Sequence, residues 1–181
     1  MSSPAVFFDR DGTLMEDVHY CADPALVRMY PGVSQGLAQL RAAGFLTFIV
    51  SNQSGIARGL ITETQYSTVQ AELLRQIGAG LIDASYFCPD LPGVPSKRRK
   101  PEPGMLIEAA TEYDIDLRKS WCIGDKFADI ECGRRAGART ILVLTGYGTS
   151  DSARAANPDF TAQDVISAIW LIMSEIRLIS G

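Results

Sequence analysis

The sequence predicts a three-layer α/β fold in which a mostly parallel sheet carries helices on both of its faces. Short apolar segments of strand length alternate with longer amphipathic segments of helical spacing along the chain. Polar residues follow directly after several of the apolar segments, and such residues gather at one edge of a parallel sheet. The chain has 181 residues, of which 46 % are hydrophobic, so we predict a single domain spanning residues 1–181.

The first half of the chain contains three of the predicted strands and two predicted helices. The strands are residues 5–8, 45–50 and 84–87. The first helix spans residues 33–43, and Gly44 is predicted to end it, since glycine readily adopts the left-handed conformation found after a helix. Thr62 and Gln65 have the spacing of a capping box, which indicates that the second helix begins there and fades near Ile77.

The second half continues the alternation. Predicted helices lie at residues 104–113 and 127–136, and predicted strands at 121–123, 141–144 and, at the sheet edge, 159–161. The segment 165–179 repeats Val and Ile at intervals of three and four residues, which is typical of a helix that packs on a sheet. This segment also carries Glu175 and Arg177 and is too short to span a bilayer.

Charge and cysteine content exclude several classes of protein. A net charge of −4 argues against binding to nucleic acid through bulk positive charge. The four cysteines, Cys21, Cys88, Cys122 and Cys132, form no Cys-x-x-Cys pair, so neither a zinc ribbon nor a redox motif is predicted. The first four residues include no basic side chain, and we expect no signal peptide and a cytoplasmic protein with reduced thiols.

Two carboxylates stand one residue apart at the end of the first predicted strand. Asp9 and Asp11 follow the apolar segment 5–8, and Gly12 is predicted to form the turn that ends it. Because residues i and i+2 of a strand point the same way, both side chains are expected at the carboxyl end of the strand. Two like charges so close need a cation or a shared proton. The pair favours a magnesium site with one attacking and one proton-moving carboxylate over a plain turn or a calcium loop.

Three further polar clusters follow later in the chain. They are Ser51–Ser54 after the second strand, Arg98–Lys100 in a loop, and Gly124–Lys126 after the fourth strand. A hydroxyl with turn N–H groups can bind phosphate oxygens, and basic side chains can bind further anionic groups. Each cluster alone also fits an ordinary loop, a solvated basic surface or a helix cap. Asp129 lies one helical turn after Asp125, where it is expected to brace the site or Lys126.

In this order the four clusters resemble the signature of the haloacid dehalogenase (HAD) superfamily: Asp-x-Asp, then Ser or Thr, then Lys, then an acidic motif. The segments that carry a closer likeness are Asp9–Leu14, Tyr30–Val33, Ser51–Gly59, Arg99–Met105 and Gly124–Lys126. Through these the chain is similar to the bacterial heptose bisphosphate phosphatases and, next, to the histidinol-phosphate phosphatases. The likeness covers nearly the whole chain and implies a Rossmann-like HAD fold. No long insertion follows the first motif, so we expect a capless domain with an open site.

The resemblance implies a magnesium-dependent phosphatase that acts through an aspartyl-phosphate intermediate. Asp9 is then the nucleophile, Asp11 the general acid and base, and Ser51 and Lys100 stabilise the transferred phosphoryl group. The implied Mg²⁺ ligands are Asp9, Asp125 and Asp11, the last through its backbone carbonyl. The side chains expected to contact the rest of the substrate are Asp17, Val18, His19, Tyr20, Asn52, Gln53, Ser54, Arg99 and Lys126.

One segment departs from the pattern of the family, whose members usually carry a zinc loop with three cysteines and a histidine. Cys88 is present, but Asp90 and Leu91 stand where the histidine is expected, and the second cysteine pair is missing. One thiol cannot form a tetrahedral site, so we expect Mg²⁺ and no Zn²⁺.

The predicted substrate is a small phosphorylated sugar, a heptose bisphosphate. The alternatives are histidinol phosphate, a broad range of small phosphate esters, the 3′-phosphate of a nucleic-acid end, and a phosphate-binding module without catalysis. We expect a monomer with neither a nucleic-acid nor a membrane partner.

Overall fold

A six-stranded parallel sheet forms the centre of the computed structural model, which describes residues 2–180. The strands are β1 (Ala5–Phe8), β2 (Leu46–Asn52), β3 (Ala84–Cys88), β4 (Trp121–Gly124), β5 (Arg139–Val143) and β6 (Phe160–Ala162). Their order is β3-β2-β1-β4-β5-β6, and every pair is parallel. The chain therefore starts in the middle of the sheet, extends to one edge, returns to β4 beside β1, and extends to the other edge.

Residues 2–180 also contain six α-helices and two short 3₁₀ segments, and all but the last helix lie between strands. The helices are α1 (Val33–Ala42), α2 (Glu63–Ile77), α3 (Gly104–Tyr113), α4 (Phe127–Ala136), α5 (Asp151–Arg154) and α6 (Val165–Ser180), and the 3₁₀ segments are Pro24–Leu26 and Leu117–Lys119. The side chain of Ile179, the last residue of the predicted C-terminal helix, lies outside the described part. Among residues 2–180, no helix is long and apolar enough to cross a membrane.

The central strand β1 is buried on both faces, as its unbroken apolar sequence predicts. Val6 and Phe8 belong to the larger hydrophobic cluster, which also contains residues of α1, α2 and α6. Ala5 and Phe7 point to the opposite face and pack with residues of α3 and α4. This alternation follows from the two-residue period of a strand, and it confirms the three-layer α/β fold.

Most predicted elements occur where the local pattern places them, and the differences have local causes. Helices α3 and α4 have the predicted bounds, whereas β5 begins two residues earlier than predicted, at Arg139. Arginine is an unexpected start for a buried strand, but its guanidinium carbon lies 4.0 Å from the ring centre of Trp121. The 3₁₀ segments and α5 contain only three or four residues each and are too short to show a helical period.

The capping box at the start of α2 gives the first prediction. Thr62 Oγ1 accepts a hydrogen bond from Gln65 N at 3.1 Å, and Gln65 Oε1 accepts one from Thr62 N at 2.8 Å. Thr62→Ala should lower the free energy of unfolding by about 1 kcal/mol, measured by urea denaturation. The control is Thr64→Ala, since Thr64 is also exposed but lies inside the helix. An equal loss in both variants would show that the cap contributes nothing.

Candidate active site

The site lies where β1 and β4 meet, because the direction of chain travel through the sheet reverses there. Asp9 follows β1 and Asp125 follows β4, and Asp9 N donates a hydrogen bond to Ile123 O at 2.9 Å. Parallel α/β sheets bind ligands at the carboxyl ends of strands next to such a reversal. Carboxylate oxygens of Asp9, Asp125 and Asp129 all lie within 4.8 Å of one another, and all three residues are buried. We call these three residues the aspartate cluster.

The ammonium group of Lys100 is enclosed beside the aspartate cluster. Its Nζ lies 2.6 Å from Asp9 Oδ1, 2.6 Å from Asp129 Oδ1 and 2.7 Å from Val50 O. An ammonium group has three donors, so these acceptors use all of them. Burial lowers the pKa of Lys100, but the carboxylates of Asp129 and Asp9 outweigh burial and leave it raised. Lys100 therefore stays charged and offsets part of the negative charge of the cluster.

The backbone of Lys100 is held by a side chain from the end of β2. Asn52 Nδ2 donates to Lys100 O at 2.9 Å, and Lys100 N donates to Asn52 Oδ1 at 3.0 Å. This reciprocal pair links residues far apart in sequence and carries the lysine to the sheet edge. Asn52 thus supports the site as well as lining the neighbouring cavity.

The protein donates a hydrogen bond to only one of the two carboxylate oxygens of Asp125. Its Oδ2 accepts a hydrogen bond from Tyr147 N at 2.8 Å, whereas its buried Oδ1 has no hydrogen-bond partner among the described residues and only a long ion pair, at 3.9 Å, with Lys126 Nζ. Burial, followed by the charges of Asp9 and Asp129, raises the pKa of Asp125 to about 8. A buried carboxylate oxygen without a partner is costly, and a bound cation would remove that cost.

Two glycines make room for Asp125. A Cβ atom added to Gly12 would lie 2.3 Å from Asp125 Oδ2, and one added to Gly146 would lie 2.2 Å from the same oxygen. Both glycines also have positive φ angles, 90° and 54°. Only residues without a side chain fit here, so the turn predicted at Gly12 also forms a wall of the carboxylate site.

The aspartate cluster fits a hard divalent cation. Carboxylate oxygens are the ligands that Mg²⁺ prefers, and the unpartnered Oδ1 of Asp125 is available. Asp129 is the less available member, because its Oδ1 contacts Lys100 and its Oδ2 accepts from Lys126 N at 3.0 Å. Asp129 thus contacts Lys100 in the site and the backbone N–H of Lys126. Asp11 was expected to contribute its backbone carbonyl, and its carboxylate lies outside this cluster.

The carboxylate of Asp11 is part of a hydrogen-bond chain to β2. Gln53 Nε2 donates to Asp11 Oδ2 at 2.9 Å and to Ser51 Oγ at 2.7 Å. Arg10 also contacts Asp11, with its Nε 3.0 Å from Oδ2. Gln53 therefore joins the predicted acid–base residue to the predicted phosphate-binding hydroxyl.

A cavity of about 440 Å³ opens beside the hydrogen bonds that join Asp11 and Gln53. Its lining residues are Arg10, Asp11, Asp17, His19, Tyr20, Cys21, Asn52, Gln53, Ser54, Lys126 and Tyr147. Lys126 Nζ lies 3.2 Å from Asp17 Oδ2 and 4.9 Å from the ring centre of Tyr147, whose hydroxyl lies 3.2 Å from His19 Nε2. Seven of the nine residues predicted to contact the substrate line this cavity, so the structure brings most of the predicted site together.

The structure places the two other residues elsewhere. Val18 is partly buried against the larger hydrophobic cluster, because an apolar side chain between polar neighbours turns inward. Arg99 donates from Nη1 to Asp90 O at 2.7 Å and lines a different cavity, of about 490 Å³, with residues 92–96. Cys88, from the segment that departs from the family, lies with its Sγ 3.3 Å from Asp90 Oδ2.

Comparison with known proteins agrees with this geometry. The family described as HAD-hydrolase-like matches residues 97–168. A D-glycero-D-manno-heptose-1,7-bisphosphate 7-phosphatase of Thermosynechococcus vestitus is 38 % identical, covering 94 % of this chain and 96 % of the relative. A D-glycero-beta-D-manno-heptose-1,7-bisphosphate 7-phosphatase of Yersinia pestis is 37 % identical, covering 86 % of this chain and 88 % of the relative. The chain belongs to the heptose bisphosphate phosphatase family of HAD-like hydrolases.

A solved structure of the same family supports the fold. The D,D-heptose 1,7-bisphosphate phosphatase of B. bronchiseptica, crystallised with magnesium and phosphate, superposes with a TM-score of 0.86 at 29 % identity. The alignment covers 95 % of this chain and 99 % of that chain. The predicted HAD-like fold and the predicted enzyme class, a phosphatase, are therefore confirmed.

Three residues that line the cavity, Arg10, Cys21 and Tyr147, are not among the site residues that the sequence predicts. Tyr147 holds Asp125 through its backbone and covers Lys126 with its ring, but it lies in a loop after β5 where no polar cluster drew attention to it. Arg10 contacts Asp11, but its position between two carboxylates gives no sign in the sequence of where its side chain points. The positive φ angles of His19 and Tyr20, 44° and 45°, also have no local sequence signal.

The raised pKa of Asp125 predicts how pH affects stability. Its pKa is 3.8 ordinarily and about 8 in the fold, so between these values the folded state keeps a proton that the unfolded state releases. Raising the pH from about 4 to about 8 should therefore destabilise the metal-free protein through this group. Urea midpoints measured in chelator across this range should fall with pH more steeply for the parent than for Asp125→Asn. Identical pH dependence of the two proteins would contradict the raised pKa.

Proposed function

We propose that this chain is a magnesium-dependent phosphomonoesterase that removes a phosphate from a heptose bisphosphate through an aspartyl-phosphate on Asp9. The observation that carries the proposal is the buried aspartate cluster, with Lys100 on one side and the unpartnered Asp125 Oδ1 on the other. Arg10 and Asp11, which come directly after Asp9 in the sequence, line the open cavity. The names of the relatives support the choice of substrate.

The chain's own residues supply a nucleophile and a proton donor. In the first step an Asp9 carboxylate oxygen forms a bond to phosphorus while the bond from phosphorus to the leaving oxygen breaks. Asp11 gives its proton to that oxygen, which leaves as an alcohol. In the second step Asp11 takes a proton from water, the water oxygen bonds to phosphorus, and inorganic phosphate leaves Asp9.

Positive and polar groups around Asp9 favour the charge that develops on phosphorus. Lys100 keeps the Asp9 carboxylate in place and lowers the local negative charge, and Ser51 offers a hydroxyl toward the same edge. Magnesium, held by Asp9, Asp125 and the backbone carbonyl of Asp11, would when bound supply the positive charge that offsets repulsion between carboxylates and phosphate.

The cavity wall supports a substrate with a second anionic group. Lys126 carries a half-exposed ammonium group at the cavity, 3.2 Å from Asp17 Oδ2 and 3.9 Å from Asp125 Oδ1. A second phosphate of a sugar bisphosphate matches that charge. Arg99 stays a predicted partner of the same phosphate, although its guanidinium contacts Asp90 O here.

We further propose that residues 1–181 form one capless domain that works as a monomer in the cytoplasm without zinc or nucleic acid. The single sheet supports one domain, and the four free cysteines agree with a reducing compartment. A separate cap would be inserted between the strands of the first half. The main elements there are α1, between β1 and β2, and α2, between β2 and β3.

Asp9→Asn should lower kcat for heptose bisphosphate by at least about a thousandfold, because the amide cannot form the aspartyl-phosphate. The exposed Asp151→Asn serves as the control and should keep the parental rate. Phosphate release is measured after chelation and again after adding Mg²⁺, with histidinol phosphate as a comparison substrate. Activity without a divalent cation, or faster turnover of histidinol phosphate, would contradict the proposal.

Lys126→Ala should raise KM for heptose bisphosphate by about tenfold, since a charge-assisted contact to the second phosphate is lost. KM for p-nitrophenyl phosphate, which has no second phosphate, should change much less. Lys119→Ala is the matched control, because Lys119 is also exposed and also forms an ion pair, with Asp116 at 3.6 Å. A similar rise for both substrates would remove Lys126 from recognition of the second phosphate.

A further inference from the structure

Arg10 is a buried charge that stability does not explain. It is only 1 % exposed, and its Nη1 has no hydrogen-bond partner among residues 2–180. Burying a guanidinium group costs free energy, and leaving one of its N–H groups unpaired adds to that cost. A side chain retained at such a cost indicates a role in the neighbouring site.

The guanidinium group of Arg10 meets the carboxylate of Asp11 in a two-pronged contact. Nε lies 3.0 Å from Asp11 Oδ2, and Nη2 lies 3.1 Å from Oδ1 and 3.0 Å from Oδ2. The planar fork of an arginine matches the plane of a carboxylate and fixes its rotation, which a lysine cannot do. Arg10 therefore determines the direction in which the Asp11 oxygens point.

An aromatic pair supports Arg10 from behind. The guanidinium carbon lies 5.1 Å from the ring centre of Tyr66, and that ring lies 4.4 Å from the ring of Phe87. Tyr66 comes from α2 and is itself buried. The guanidinium group is therefore held both by the ring of Tyr66 and by the carboxylate of Asp11.

These contacts give the two carboxylate oxygens of Asp11 different numbers of hydrogen bonds. Oδ2 accepts hydrogen bonds from Arg10 Nε and Gln53 Nε2, whereas Oδ1 accepts only from Arg10 Nη2. Each carboxylate oxygen offers two lone-pair sites, so Oδ1 keeps one that is not used by the protein. The Asp11 side chain is 18 % exposed and lines the cavity, so a leaving group there can reach it.

We propose that Arg10 is a positioning residue that holds Asp11 so that Oδ1 transfers the proton to the leaving oxygen as the bond from phosphorus to that oxygen breaks. This inference rests on the proposed function, because it needs Asp11 to be the general acid. Arg10 acts only through Asp11 and touches neither phosphorus nor the leaving group. A poor leaving group depends on that proton, whereas a good one departs without it.

The experiment measures kcat/KM for a series of substituted phenyl phosphates that differ in the pKa of the phenol released. Because kcat/KM reports on steps up to formation of the aspartyl-phosphate, it isolates departure of the leaving group. Arg10→Gln should keep p-nitrophenyl phosphate within about threefold of the parent and lose at least about tenfold on unsubstituted phenyl phosphate. Arg10→Lys, which keeps the charge but lacks the fork, should show the same steeper dependence on leaving-group pKa.

Arg75→Gln is the matched control. Arg75 makes the same two-pronged contact, with Nε and Nη2 each 2.8 Å from an oxygen of Glu72, but on the exposed side of α2. This variant should leave the dependence on leaving-group pKa unchanged. If Arg10→Gln fails to fold, Tyr66→Leu removes the supporting ring instead and should steepen the same dependence.

Two results would overturn the inference: an equal loss across all leaving groups, or no loss for any of them. In an Asp11→Asn background, Arg10→Gln should add no further leaving-group dependence, and an added effect would also contradict it. Failure of the proposed function has a different signature, because the parent would then release no phosphate from p-nitrophenyl phosphate in an Asp9-dependent way.

Discussion

The enclosed ion cluster at the β1–β4 edge is the constraint on which the rest of the site depends. Three carboxylates and one ammonium group share a volume almost closed to water, and Lys100 can reach only two of the carboxylates. Asp125 is left with a raised pKa and with one oxygen that accepts no hydrogen bond from residues 2–180. Such a cluster is unfavourable without a bound ion, and binding of a cation would stabilise it.

The order of the strands is what brings the residues of this cluster together. Since β1 lies in the middle of the sheet, its end is flanked by the ends of β2 and β4, and three polar segments meet without any unusual loop. Lys100 comes from a loop after β3 and reaches Asp9 because Asn52 binds its backbone. Gly12 and Gly146 then provide the space that the Asp125 carboxylate requires.

Loops line the cavity beside the cluster, and their charged side chains contact one another. Lys126 lies between Asp17, Asp125 and the ring of Tyr147, while Asp11 is held by Arg10 and Gln53. The groups proposed to act on the substrate are therefore fixed before it arrives, which reduces the reorganisation that catalysis needs.

The sequence by itself determined the alternation of strands and helices, the capping box at Thr62, and the clustering of strand-end residues, because each depends on neighbours within a few positions. The tertiary structure alone decided which side chains face the cavity. Val18 packs, partly buried, against the core and Arg99 bonds to Asp90 O, whereas Tyr147 and Arg10 line the cavity although no motif predicts them there. Side-chain direction in loops follows from contacts between distant segments, and no local pattern records those contacts.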